Sequence, residues 1–186
     1  MSDIRQRLIV AVSGASGSLL GLRLLQLLNQ AEGWETHLVL SSAAVLTAKL
    51  ELNESRETFE ALATQVHSNK DIGASIASGS FRTAGMVVIP CSMNTLSGIA
   101  NGASSNLITR AADVTLKERR RLVLVTREAP LNLIHLRNMT LATEAGAIIM
   151  PPVPSFYLGP CSLDDAVTQM AGRVLAQLNI DVPGMK

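Results

Sequence analysis

The stretch RLIVAVSGASGSLLGLRLLQLL, residues 7–28, decides the fold of this chain. Residues 8–12 are aliphatic, residues 13–18 are small and polar, and from Leu19 onward the leucines recur at helical spacing. This order predicts a buried strand, a tight turn and a helix. The backbone N–H groups of such a turn and the positive end of the helix dipole can face an anion, so a phosphate is the natural ligand. The same small residues also suit a turn that only packs a strand closely against its helix.

The rest of the chain repeats the alternation of strand and helix. Further strands are predicted at residues 35–41, 85–90, 122–126 and 147–150. Helices are predicted at residues 42–52, 53–65, 106–119, 131–145 and 162–178, with another helical segment after residue 95 and a surface excursion at residues 67–83. This pattern predicts an α/β fold, a doubly wound, Rossmann-like parallel sheet of about five or six strands in a single domain over residues 1–186. The polar turns after the first four strands should then converge on one crevice, because ligands of such sheets bind beyond the carboxyl ends of the strands.

Composition restricts the classes of partner. The 186 residues carry a formal net charge of +1, and the longest basic run is the three arginines at 119–121, which argues against a nucleic-acid partner. No apolar run reaches the ~20 residues that a membrane-spanning helix needs. Hydrophobic residues make up 47% of the chain and aromatic residues only 3%, which favours a homo-oligomer that covers apolar surface. The two cysteines, Cys91 and Cys161, form no metal-ligand pattern, and we expect a reduced, cytoplasmic protein.

The turns themselves limit the choice of ligand. The first turn lacks the G-x-G-x-x-G fingerprint, and the second strand ends at Ser41 instead of an acidic residue, which disfavours NAD. A nucleoside triphosphate is disfavoured because the chain has no G-x-x-x-x-G-K-[ST] motif. Glycine amides, serines and Thr95 suit one phosphate and a polar ring edge, as in flavin mononucleotide (FMN).

Six motifs carry a resemblance to a known family. They are SGASG at 13–17, PCSMNTLS at 90–97, RAADV at 110–114, LKERR at 116–120, REAP at 127–130 and PPVPSFY at 151–157. Together they resemble the UbiX-type flavin prenyltransferases of the flavin-containing cysteine decarboxylase superfamily. The resemblance implies a metal-independent enzyme that joins the dimethylallyl group of dimethylallyl phosphate to N5 and C6 of reduced FMN. The prenylated FMN would serve a UbiD-type decarboxylase of aromatic or other unsaturated acids, and the enzyme would be a dodecamer with its active site close to subunit boundaries.

The resemblance also implies the site residues. The flavin would be held by Gly14, Ala15, Ser16, Ser41, Ser92, Met93, Asn94, Thr95 and Arg127. Dimethylallyl phosphate would be held by Lys117, Tyr157 and Arg173, and the catalytic set would be Glu51, Lys117, Glu128, Ser16 and Arg110, without a metal. Cleavage of the allylic C–O bond leaves negative charge on the phosphate, which the cationic side chains stabilise. A carboxylate such as Glu128 can take the proton that ring closure releases.

Two departures from the family pattern affect the expected site. The junction after the second strand often reads Ser-Lys in the family, and here it reads Ser41-Ser42, which removes a cation. The chain ends at Lys186 without the tryptophan-bearing tail of many members, which implies a more open prenyl pocket. Two other functions stay open: an FMN-dependent decarboxylase of cysteine-ended peptides, and a non-catalytic FMN-carrying subunit of an aromatic acid decarboxylase.

Several conspicuous side chains are given ordinary structural roles. His37, His67 and His135 are expected to be polar or capping histidines. Cys91 follows a buried strand and is expected to fill space in the core.

Overall fold

The computed structural model describes residues 5–182, which form one α/β domain around a six-stranded parallel sheet. The strands are β1 (Gln6–Val12), β2 (Trp34–Leu40), β3 (Gln65–Ser68), β4 (Gly85–Cys91), β5 (Arg121–Thr126) and β6 (Ile148–Ile149). Their order across the sheet is β3-β2-β1-β4-β5-β6. The order reverses between β1 and β4, and such a switch point is where doubly wound folds bind ligands. The predicted fold class is confirmed.

Helices cover both faces of this sheet. The helices are α1 (Ser18–Leu28), α2 (Ser42–Leu52), α3 (Arg56–Glu60), α4 (Met93–Ala100), α5 (Leu107–Lys117), α6 (Leu133–Glu144) and α7 (Leu163–Gln177). α1, α2, α3 and α7 pack on one face, and α4, α5 and α6 pack on the other. None of the helices in residues 5–182 is long and apolar enough to cross a membrane.

The central strand shows why the apolar runs of this sequence are nearly continuous. In β1, Leu8 and Val10 belong to the core on one face and Ile9 and Ala11 to the core on the other, and all four are at most 2% exposed. Both faces of a covered parallel sheet are dry, so neither set of alternating side chains can be polar. On α1, a Cβ at Gly21 would lie 2.7 Å from the Ile89 carbonyl oxygen, so only glycine lets α1 pack this closely on β4.

The prediction of a helix over residues 53–65 is wrong in extent. Only Arg56–Glu60 is helical, and Gln65–Ser68 forms β3 along the edge of β2. A short polar strand such as this one has no apolar period to reveal it, and it forms because β2 offers unpaired backbone groups. The expected surface excursion is also partly wrong, because within it Ile76 is 1% exposed and belongs to the core. Residues 183–186, on which the expectation about the missing tail falls, lie outside the described residues.

Candidate active site

Three helices begin at the carboxyl ends of three adjacent strands. α2 follows β2 and is capped by Ser41, whose hydroxyl oxygen accepts the Ala44 N–H at 3.0 Å. α4 follows β4 and is capped by Ser92, which accepts the Thr95 N–H at 3.2 Å. α1 follows β1 directly after Gly17, whose φ of 108° is in the left-handed region that favours glycine. The positive ends of three helix dipoles therefore meet at one edge of the sheet, as an anion site requires.

Gly14 brings the first two of these turns into contact. A Cβ at Gly14 would lie 2.3 Å from the Ala43 Cβ at the start of α2. Glycine is needed here because any side chain would push α2 away. A larger residue at position 14 would therefore disturb both the turn at residues 14–18 and the start of α2.

The N-terminus of α1 already has an anionic partner within the chain. The Glu51 carboxylate of α2 accepts the Gly17 N–H at 3.0 Å and the Ser18 N–H at 2.9 Å. Partial burial acts to raise the pKa of Glu51, but hydrogen bonds from the Ser16 hydroxyl and from these two amides outweigh it and hold the pKa below its usual value. The Gly17 and Ser18 amides, which the sequence pattern offered to a phosphate, are thus engaged by Glu51 instead.

Arg127 and Glu128 follow β5 at the same edge. The Arg127 N–H donates to the Cys91 carbonyl at 3.2 Å, which places this junction beside the turn that precedes α4. The Glu128 carboxylate is exposed and accepts the N–H of its neighbour Ala129 at 3.0 Å. Just before them, Thr126 is 2% exposed, and its hydroxyl has no hydrogen-bond partner within the described part of the chain. Backbone amides and serine hydroxyls at this end of the sheet fit the phosphate and the polar ring edge of FMN.

Tyr157 and Arg173 come together from two separate segments. They line one cavity of about 400 Å³ between the short 3-10 turn Phe156–Leu158 and α7, and Ser155 lies on its wall. Arg173 also lines a second cavity, together with Leu20 of α1. Tyr157 and Arg173 therefore face one cavity, and their binding of a common ligand stays a prediction.

Comparison with known proteins gives the family. The family model described as Flavoprotein matches residues 2–173. The chain is 57% identical to the flavin prenyltransferase UbiX of Escherichia coli K12, over 96% of this chain and 94% of that protein. It is 53% identical to the corresponding enzyme of Thauera aromatica, over 95% of this chain and 90% of that protein. The chain belongs to the flavin prenyltransferase family.

Solved structures of the family have the same fold. A UbiX protein (PadA1) in complex with FMN and dimethylallyl pyrophosphate has a TM-score of 0.95 at 48% identity and covers 98% of this chain and 96% of its own. A dodecameric FMN-dependent UbiX-like decarboxylase of Escherichia coli O157:H7 has a TM-score of 0.94 at 48% identity and covers 97% of this chain and 98% of its own. The epidermin biosynthesis protein EpiD, at 15% identity and a TM-score of 0.62, shows the fold alone.

Lys117, which was expected to bind dimethylallyl phosphate, lies on α5. α5 begins beside Asn69, at the carboxyl end of β3, where the Leu107 N–H donates to the Asn69 carbonyl at 2.9 Å. α5 runs back along the sheet, so its last residue, Lys117, lies at the amino ends of the strands. A seven-residue strand places this end roughly 20 Å from the carboxyl ends. At the amino ends, the Lys117 ammonium pairs with Glu118 beside Gly79. Lys117 is not among the residues that line the cavity of Tyr157 and Arg173 in the protomer, so its expected contact with dimethylallyl phosphate stays a prediction.

Arg110 also has another partner within the protomer. Its guanidinium forms an ion pair with Asp113 at 2.9 Å on a partly exposed side of α5. Arg110 and Lys117 are seven residues apart, or two helical turns, so they lie on the same side of α5. A second subunit packed against this side would receive both cations together.

Sequence reasoning did not predict that the Ser13 side chain binds Pro90 and Ser92 inside the protein. It stood in the SGASG motif, but it turns into the protein and is only 2% exposed. The continuous burial of β1 was the available signal, because Ser13 directly follows five buried residues. Among residues 5–182, no group of three or more His, Cys, Asp or Glu side chains is arranged to hold a metal ion.

Proposed function

We propose that this protein is a flavin prenyltransferase that joins the dimethylallyl group of dimethylallyl phosphate to N5 and C6 of reduced FMN and delivers prenylated FMN to a UbiD-type decarboxylase. The observation that carries the proposal is the presence of two separate regions that suit anions. One is the crevice of three helix N-termini, and the other is the cavity of Tyr157 and Arg173. Reduced FMN, when bound, supplies the electron-rich atoms that accept the prenyl group.

Tyr157 and Arg173 bind the phosphate of the donor. A guanidinium and a phenolic hydroxyl can both donate to phosphate oxygens, and the charge-assisted bonds strengthen as negative charge builds up on the leaving phosphate. The walls of the neighbouring cavity are mostly apolar, with Leu20, Ile89, Val125 and Met150 among the lining residues, and this chemistry matches a dimethylallyl group, although the cavity itself is only about 30 Å³.

The carboxylates have different roles because their surroundings differ. Glu51 is held ionised by three hydrogen-bond partners, so it orients the Ser16 hydroxyl toward the crevice. Among residues 5–182, the hydrogen bond of the Glu128 carboxylate is to the amide of Ala129, and the side chain is exposed. It is therefore free to accept the proton that ring closure releases.

Neighbouring subunits complete the site. α6 exposes Leu133 (59%), Ile134 (66%) and Leu136 (48%), an apolar surface that a monomer would leave in water. We place this surface in the interfaces of a homo-oligomer, a dodecamer like the UbiX-like protein of Escherichia coli O157:H7. In such an assembly, Arg110 and Lys117 reach the donor phosphate of an adjacent protomer. Both cysteines are free, in keeping with a cytoplasmic protein.

One reaction distinguishes this function from the alternatives. The protein is incubated anaerobically with reduced FMN and dimethylallyl phosphate, or with dimethylallyl pyrophosphate in a parallel sample, and the flavin is analysed by mass spectrometry. We expect a flavin with one added prenyl group, and much less of it with the Arg173→Ala variant. An unchanged flavin mass in both samples would contradict the proposal. A decarboxylase or a carrier subunit has no need of the second anion site.

A further inference from the structure

Ser13 connects the two turns that we propose to hold the flavin, the turn at residues 14–18 and the turn at residues 92–95. We call these the two flavin turns. Its hydroxyl donates to the Pro90 carbonyl at 2.9 Å and accepts the Ser92 N–H at 2.8 Å. The Ser13 N–H also donates to the Pro90 carbonyl, at 3.2 Å. One buried side chain thus ties the end of β1 to the start of the turn before α4, 79 residues further along the chain.

The ladder of the sheet stops short of this connection. The ladder between β1 and β4 ends at the pair Ala11 and Val88. Beyond that pair, β4 shifts its register against β5 between Val88 and Cys91, and Pro90 has no N–H to donate. Across this gap the Ser13 hydroxyl adds two contacts to the single backbone bond from the Ser13 N–H to the Pro90 carbonyl. Without it, the Ser92 N–H would lose its acceptor in a partly buried position.

We propose that Ser13 is a positioning residue for flavin binding, which acts through Ser92 to set the spacing between the turn at residues 14–18 and the turn at residues 92–95. Ser92 transmits the constraint because its own hydroxyl donates to the Thr95 hydroxyl at 3.1 Å and caps α4. Ser13 is too deeply buried to touch a ligand itself. The inference rests on the proposed placement of FMN in this crevice.

The test uses the full-length apoprotein and two measurements that do not depend on catalysis. The dissociation constant for FMN is measured by quenching of flavin fluorescence, and hydrogen exchange reports the protection of the Ser92 and Thr95 amides. We expect Ser13→Ala to raise the dissociation constant at least 10-fold and to speed exchange at both amides. Ser13→Thr keeps the hydroxyl and should restore both properties.

Thr115→Val is the matched control. The Thr115 side chain is 1% exposed and its hydroxyl donates to the Ala111 carbonyl at 2.7 Å within α5. Its loss removes a buried hydroxyl remote from the flavin turns, and FMN affinity should not change. An equal loss of affinity in Thr115→Val would overturn the inference, because it would point to general loosening of the protein.

Wild-type FMN affinity in Ser13→Ala would also overturn it. If the alanine variant does not fold, Ser13→Cys, which has a weaker donor of similar shape, is compared with the wild type by the same two measurements. Unchanged affinity and exchange in that variant would equally refute the role. A wild-type protein that binds FMN but forms no prenylated product would refute the proposed function and leave the Ser13 comparison valid.

Discussion

The Glu51 carboxylate lies 2.9 Å from the Ser18 amide nitrogen, although 33 residues separate the two in the sequence. One helix of the protein thereby caps the N-terminus of another, and it does so at the switch point of the sheet. A capping carboxylate near the proposed FMN phosphate favours α1 but repels a bound anion. The balance between these two effects leads to the first prediction.

Glu51→Gln should slow prenyl transfer without weakening FMN binding. The amide keeps the shape of the side chain but removes the charge that orients the Ser16 hydroxyl, so turnover should fall by about 10²-fold. FMN affinity should stay equal or rise, because one negative charge leaves the crevice. Steady-state kinetics and flavin titration measure the two quantities. Glu54→Gln, which removes a carboxylate that accepts from the Thr58 hydroxyl, is the control; a wild-type rate for Glu51→Gln would refute the assigned role.

Glu128→Gln should still bind both FMN and dimethylallyl phosphate. If Glu128 accepts the proton that ring closure releases, the turnover of the variant should fall by about 10²- to 10⁴-fold, the usual contribution of a general base. Single-turnover measurements with mass analysis of the flavin follow the reaction. Glu144→Gln, at the end of α6, serves as a surface control. A near wild-type rate and product would show that another group, such as Glu51, accepts the proton.

Arg173→Ala should separate the two anion sites. Loss of one charge-assisted contact costs about 1.5–3 kcal/mol, or roughly 10- to 150-fold in kcat/KM for dimethylallyl phosphate. We expect the loss mainly in the KM of the donor, with FMN affinity unchanged, because the flavin turns lie outside the cavity of Arg173. The matched control is Arg82→Ala, an exposed arginine just before β4. Equal impairment of FMN binding in Arg173→Ala would refute the arrangement of two separate sites.

Mixed oligomers can test whether Lys117 acts between subunits. Lys117→Ala and Arg173→Ala oligomers should each have low activity. After the two proteins are dissociated and reassembled in equal amounts, roughly a quarter of the sites should contain both wild-type residues, if they come from different chains that assort at random. Recovery of activity toward that level supports the shared site. No recovery, in a mixture shown to contain hybrid oligomers, would place Lys117 outside the reaction.

The free energy of unfolding should depend on pH through a buried histidine pair. His37 is 6% exposed and its Nδ1 lies 3.0 Å from Nε2 of His67 on the adjacent strand. Burial, and then the charge of a protonated His67, lower the pKa of His37 to about 4. Between pH 6.5 and 4, His37 is protonated in the unfolded chain but neutral in the folded chain. The free energy of unfolding therefore has its full value above pH 6.5 and falls as the pH drops from 6.5 to 4.

The size of the effect follows from the shift in pKa. The 2.5-unit difference between 6.5 and about 4 corresponds to about 3 kcal/mol for this buried group. Urea unfolding at a series of pH values measures it. His37→Asn should flatten the dependence between pH 6.5 and 4, and an unchanged slope in that variant would assign the effect to other groups. The expectation that His37 and His67 are ordinary structural residues remains compatible with this behaviour.

Local signals predicted the elements that lie in the centre of the sheet. β1, β4 and β5 were recognisable because strands buried on both faces must be apolar at nearly every position. β3 was missed because an edge strand of four residues, with only intermediate or exposed side chains, carries no such pattern. Its pairing with β2 is a contact between segments about 28 residues apart, which no local periodicity records.

By itself, the sequence determined the class of fold and, through its six motifs, the family, and it predicted that ligands bind at the carboxyl ends of the strands. These properties depend on neighbouring residues: apolar runs, polar turns at strand ends and ordered motifs. Only the tertiary structure decided that Glu51 caps α1, that Ser13 links the turns of β1 and β4, and that Lys117 lies at the far edge of its own protomer. The physical reason is that each of these depends on how separate segments pack, and packing brings together or separates side chains without regard to their distance along the chain.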